Sequence, residues 1–245
     1  MSWLERYRAG DRDQVWHELR QLGDRVRDPG LIEDASAVCD EMAHRARRNI
    51  ETLIERLTAQ GYQFHANDDA QDPVVPLLGP TGDAPALQDW LAERFGPLPL
   101  TLSAWIRIVG DVWLVGTHPE WAESAETDPL VIEIEGARFP GSSIRDYYDE
   151  EWAAWREASS EESSETGFVL PVAPDALHKA NISGGAPYGF RLPDPCADGL
   201  FVSEVATPFV AYLNHVFANG GFPGSAPGDA QWRLKPEISH DLLPL

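Results

Sequence analysis

Leu102-Ser103-Ala104-Trp105-Ile106-Arg107-Ile108-Val109-Gly110-Asp111-Val112-Trp113-Leu114-Val115-Gly116 is the stretch on which the fold class turns. Up to Val109 the apolar residues Leu102, Trp105, Ile106 and Val109 fall three or four apart, the spacing of one helix face. After Gly110 the period shortens: Val112-Trp113-Leu114-Val115 is a short apolar run closed by Gly116, which reads as a strand. A helix thus gives way to a strand at one glycine.

Upstream, Leu87, Trp90, Leu91 and Phe95 line one face of another helix, which stops at Gly96-Pro97. Residues 66–84 form a polar connector rich in Asp, Pro and Gly. Val74-Val75 and Leu77-Leu78 interrupt it, so part of it is expected to pack, as a short strand. The first 65 residues read as helical. Val15, Trp16, Leu19, Leu22 and Val26 recur at helical spacing over 11–27, and Asp28-Pro29-Gly30 breaks the pattern. Val38, Met42, Ala46, Ile50, Leu53, Ile54 and Leu57 then form one long stripe, with Gly61 as its stop. Downstream, Leu130–Ile134, Phe168–Leu170, Tyr188–Leu192 and Leu200–Val202 are further strand candidates. A last helix near 208–218 carries Phe209, Val210, Leu213, Val216 and Phe217. The expectation is an α+β fold: an N-terminal helical region (1–65), a connector (66–84), and a domain (85–245) of short, mostly antiparallel strands flanked by helices. No internal repeat and no alternating strand–helix pattern of a dinucleotide-binding fold is visible.

Charge divides the chain in the same way. The formal net charge is −21, and residues 1–60 hold ten arginines and twelve acids, so −19 falls after residue 60. So acidic a surface disfavours nucleic acid and anionic membranes as partners. Met1-Ser2-Trp3-Leu4-Glu5-Arg6 lacks the basic start and apolar run of a secretory signal, and no run of 18 apolar residues occurs; a cytoplasmic location is expected. Cys39 and Cys196 have neither disulfide-framework nor zinc spacing and read as small buried residues.

Sequence motifs for chemistry are sparse. Seven histidines are scattered without a metal-binding pair, and His118-Pro119-Glu120 reads as a turn. No nucleophile elbow, phosphate loop or glycine fingerprint is found, and no metal or cofactor is expected. His178, Lys179 and Asn181, with Asp198 as an orienting carboxylate, are candidates for acid–base work in a cleft; the alternative is that they tie loops together around Gly and Pro turns. The most unusual segment is 146–165, where eight acids face one base, Arg156, with Tyr147, Tyr148, Trp152 and Trp155 threaded between them. On a helix Tyr148, Trp152 and Trp155 share a face. One reading is a surface helix anchored by its aromatics. The other is a docking face for a basic partner, built from Asp146, Tyr148, Asp149, Glu150, Glu151, Trp152, Glu157, Glu161 and Glu162.

Leu91-Ala92-Glu93-Arg94-Phe95-Gly96-Pro97-Leu98-Pro99, the short helix after it, and Val109-Gly110-Asp111-Val112-Trp113-Leu114-Val115-Gly116 together resemble the opening of the SUKH superfamily. That group includes fungal cell-wall-synthesis regulators and bacterial immunity proteins. Phe209-Val210-Ala211-Tyr212-Leu213 is similar to its closing helix, so the resemblance covers about residues 85–220. It implies an α+β binding domain without catalysis, whose bacterial members neutralise toxins, often nucleases. The charge argument reaches the same kind of partner, because nuclease clefts are basic and an acidic inhibitor is steered into them. Three functions are therefore expected in order: a toxin-neutralising binding protein, an enzyme working through His178, Lys179 and Asp198, and a scaffold docking through its N-terminal helices.

Overall fold

The computed structural model describes residues 1–121, 124–161, 167–224 and 229–245. α1 (Trp3–Arg8) opens on a capping box: the Ser2 hydroxyl accepts from Glu5 N, and the Glu5 carboxylate accepts from Ser2 N. α2 (Arg12–Leu22) runs into a 3-10 turn over Gly23–Arg27, and α3 (Ile32–Ala59) follows. The expected stripe on α3 is its buried face, from Val38 to Leu57, and the helix is about 42 Å long at 1.5 Å per residue. Two short strands, β1 (Gln63–Phe64) and β2 (Leu77–Leu78), lie in and beside the connector; α4 (Ala84–Phe95) and α5 (Leu100–Ile108) come next.

Gly110 is the pivot between α5 and β3 (Asp111–Trp113). Its φ is +86°, and a Cβ there would meet the Leu78 carbonyl at 2.3 Å, so only glycine lets β2 approach this turn. β4 (Gly116–Thr117) pairs with β1, whereas β5 (Val131–Ile132) pairs with β3, whose Val112 faces both Leu77 and Ile132. α6 (Ile144–Glu161) leads through a segment outside the described residues to β6 (Phe168–Ala173). After α7 (Ala176–Lys179), strands β7 (Tyr188–Leu192), β8 (Leu200–Val202) and β9 (Ala206–Pro208) complete an antiparallel sheet in the order β6-β7-β8-β9. The hydrogen bond from Glu133 N to Val172 O, at 2.7 Å, stitches this sheet to the edge of the β2-β3-β5 sheet. α8 (Phe209–Ala218) and α9 (Asp229–Ser239) close the chain. The fold is α+β, and every strand pairing described is antiparallel.

One hydrophobic core runs from Tyr7 and Trp16 through Leu53 and Trp105 to Phe190, Phe209 and Leu245, so the helical region and the strand domain share an interior. The composition change near residue 65 is therefore a change of layer within one core. The C-terminal residues are fastened into it by asparagines. Asn49 on α3 donates to Leu243 O and accepts from Leu243 N, both at 2.8 Å, and Asn214 on α8 accepts from Leu245 N at 3.0 Å. Among the described residues no helix is long and apolar enough to cross a membrane.

Candidate functional site

The acidic, aromatic segment singled out in the sequence is α6, and its two faces do different things. Ser143 precedes it and its hydroxyl accepts from Asp146 N, which caps the first turn. Tyr148 is fully buried and its hydroxyl donates to Ile134 O at 3.0 Å. Trp152 stacks on Trp155 at 4.9 Å between ring centroids, and both pack edge-on against Phe168, with Phe95 of α4 closing the cluster. The expectation that Tyr148 and Trp152 anchor a partner is thus corrected: Tyr148 is core, and half-buried Trp152 is held by this chain's own rings. An aromatic row at helical spacing finds its apolar surroundings in the nearest sheet first. Asp149 is likewise occupied, by Arg94, and Arg145 of the same helix pairs with Asp83 at 2.7 Å. Glu157 stands exposed farther along the helix, while the Glu161 side chain and all of Glu162 lie outside the described residues.

The other face of α6 forms one wall of a cleft of about 860 Å³. Asp146, Tyr147, Glu150 and Glu151 come from its first two turns. Pro171, Val172, Ala173 and Pro174, at the end of β6, and Pro187 supply apolar lining, while Trp113 and Glu133 lie deep. Phe139, Ser142 and Ser143 sit at the mouth, with Asn67, Gly185 and His178 also on the lining. Among the described residues the side chains of Asp146, Glu150 and Glu151 have neither a hydrogen bond nor an ion pair. Glu133 is different. Its carboxylate meets Arg138 at 2.6 Å with both side chains largely buried, and the Arg138 guanidinium lies over the Trp113 ring at 5.4 Å. Burial pushes the Glu133 carboxyl above its ordinary value, with Arg138 opposing it; burial and Glu151 both push the Tyr147 phenol up.

The loop that carries Glu133 to Phe139 is set by Asp111, the residue after the pivot glycine. Its buried carboxylate accepts from Ile134 N at 2.7 Å, Glu135 N at 3.0 Å and Ala137 N at 2.9 Å. Gly136, at φ +62° with Ile144 of α6 packed against it, turns the chain back towards the helix. The strand register and one aspartate therefore place the inner end of the cleft.

His178, Lys179, Asn181 and Asp198 do not form a common cleft. Asp175 caps α7 by accepting from Leu177 N and His178 N, and its second oxygen lies 2.7 Å from His178 Nδ1. Burial works against the Asp175 carboxylate, but these hydrogen bonds from His178 and Leu177 hold its pKa below the usual value. Lys179 is buried and bonds Asp128 at 2.5 Å, with its ammonium 4.8 Å from the Tyr188 ring centre. Burial lowers its pKa and Asp128 opposes that. Asn181 donates to Asp69, and with Lys179 it lines a separate cavity of about 190 Å³. Asp198 belongs to another part of the molecule: it accepts from Arg20 of α2 at 2.6 Å and from Val210 N at the start of α8. Burial raises its pKa, against the pull of Arg20. The proposed acid–base trio is thus corrected. Only His178 reaches the large cleft, because each of the others is claimed by a charge that folding brings from far along the chain.

Chemically, the cleft offers unpaired carboxylates beside exposed aromatic edges and a proline-rich apolar wall, a setting that favours a cation with an apolar body. The His118-Pro119-Glu120 segment is a turn in which Glu120 N donates to His118 Nδ1. Among the described residues no group of three His, Cys, Asp or Glu side chains is arranged to hold a metal ion. No family model matches the chain, and neither curated proteins nor solved structures give a match.

Proposed function

We propose that this protein is a non-catalytic binding protein of the immunity type, acting in the cytoplasm, that neutralises a basic, nuclease-like protein by engaging it at the α6 cleft. The observation that carries this reading is the row Asp146, Glu150 and Glu151. These are carboxylates left without partners side by side on the wall of the cleft of about 860 Å³, next to its apolar and aromatic lining. Unpaired like charges side by side on a helix disfavour the fold slightly, so a partner that supplies cations gains from them. The formal charge of −21 steers a basic partner towards the molecule, and local carboxylates then fix where it lands. The resemblance to SUKH immunity proteins supports the same reading.

The test is affinity capture from the source cells at moderate salt, with two baits: the natural protein and the triple variant Asp146→Asn/Glu150→Gln/Glu151→Gln. A basic protein held by the first bait and lost with the second, and rendered harmless to growing cells only by the first, is the expected outcome. Equal recovery and equal protection by both baits would remove the cleft from the account.

A further inference from the structure

We infer that the α6 cleft recognises an arginine side chain presented on a basic loop of the partner, with guanidinium recognition, rather than general attraction between opposite charges, as the specific step. This inference rests on the binding reading above and names the group that the cleft receives.

Three observations carry it. First, the cleft is concave and largely apolar: Pro171, Val172 and Pro174 offer a surface for a methylene stem, which a bare ion does not need. Second, aromatic surface is left open beside the free carboxylates, with Phe139 56% and Tyr147 41% exposed on its lining. A planar guanidinium stacks on such faces and binds carboxylate oxygens in pairs, whereas an ammonium does neither as well. Third, the protein already holds one guanidinium in this manner at the inner end of the same site. Arg138 bonds the Glu133 carboxylate at 2.6 Å, lies over Trp113 at 5.4 Å and donates to Val75 O at 2.8 Å. A second arginine entering from solvent would meet two of the same kinds of group, the carboxylates of Asp146, Glu150 and Glu151 and the exposed rings of Phe139 and Tyr147. The area around the mouth suits a protein loop, since Leu177, next to the lining residue His178, is also an exposed apolar side chain.

The experiment uses capped pentapeptides of sequence Ala-Leu-Xaa-Leu-Ala, with Xaa as arginine, lysine or citrulline, the last being a neutral near-isostere of arginine. Binding is followed by the nitrogen–proton spectrum of the labelled full chain, with the Trp113 indole as reporter. The arginine peptide is expected to shift that signal and to bind about tenfold or more tightly than the citrulline peptide, with lysine between them. The Asp146→Asn/Glu150→Gln/Glu151→Gln variant should lose this preference, and Phe139→Ala should weaken binding several-fold. A control variant, Asp13→Asn/Glu33→Gln/Glu55→Gln, removes three exposed acids from the helical layer and should leave binding unchanged. Equal binding of the arginine and lysine peptides, or of the arginine and citrulline peptides, overturns the inference, as does an equal loss in the control variant, which would mean bulk charge alone. If the captured partner is held by the natural chain and the arginine peptide is not, this inference fails while the binding reading stands. If no basic partner is captured at all, the reading beneath it fails.

Discussion

A set of acids in the helical layer and the three cleft acids of α6 serve opposite ends. In the first, Glu18 takes hydrogen bonds from Arg6, Gln14 and Trp3, and Glu41 bridges Arg8 and Arg45; Asp40 reaches across to Arg107 and Glu51 to Arg47. These carboxylates are spent on holding helices in place. On the cleft wall Asp146, Glu150 and Glu151 hold nothing. Acidity alone therefore does not mark a binding surface, and neither does a free carboxylate such as Asp13, Glu33 or Glu55; what sets the three on α6 apart is the apolar and aromatic cleft they line.

That contrast can be broken or sharpened by experiment, starting with the acids that serve the fold most. Asp111→Ala strips three backbone N–H groups of a buried acceptor, and should cost about 3–5 kcal/mol of stability in denaturant titration. A loss below 1 kcal/mol would mean the cleft loop is not set by this residue. Arg20→Ala leaves the buried Asp198 carboxylate without its cation. Because Arg20 is itself about a third exposed, the expected cost is about 2 kcal/mol. Asp198 has a raised pKa, so it binds its proton more tightly in the folded state than in the unfolded one. Its ionisation consequently erodes stability as pH rises through the acid range, and Arg20→Ala should deepen that erosion.

Arg6→Ala tests the exposed end of the series through pH. Hydrogen bonds from Arg6, then Gln14 and Trp3, hold the Glu18 carboxyl at about 2, against an ordinary value of 4.5. A depressed folded-state pKa stabilises above the ordinary value and loses its effect as pH falls towards 2. The melting temperatures of natural chain and variant should differ at pH 7 and converge near pH 2; a constant gap would place the effect in packing instead. The smallest change is expected where the acids are idle. Asp146→Asn/Glu150→Gln/Glu151→Gln should alter stability by no more than about 0.5 kcal/mol. A large loss there would show that these carboxylates do serve the fold, and the contrast would collapse.

Much of the architecture was legible because its signals were local. The stripe on α3, the period change at Gly110 and the strands Tyr188–Leu192 and Leu200–Val202 lie where the residues place them. The two-residue strands β1 and β4 were not legible as such, since two residues carry no period and only a partner strand defines them, whereas β5 lies inside the expected strand Leu130–Ile134. α9 is hidden by Pro236, and α1 is too short for periodicity, although Ser2 and Glu5 spell its cap. The site divided differently. Carboxylates on α6 could be foreseen, but an aromatic row looks alike whether it meets its own sheet or a partner, so the sequence left both readings open for Tyr148 and Trp152, and the fold takes the first. Asp198 and Arg20 stand 178 positions apart, and nothing in either neighbourhood announces the other. Phe139, Trp113 and the prolines of β6 join the cleft only through strand pairing and the Asp111 loop, which no spacing rule contains.

The asparagine clasp on the last residues has its own consequence. Asn49 sits within the buried α3 stripe, between Ala46 and Ile50, and both its amide oxygen and its amide nitrogen hold Leu243. Segments outside helices and strands ordinarily open easily, and their amides trade hydrogen for deuterium fast. Here the amides of Leu243 and Leu245 should exchange as slowly as those of α3 itself. Release of residues 243–245 then becomes part of the global opening of the molecule, not a prelude to it.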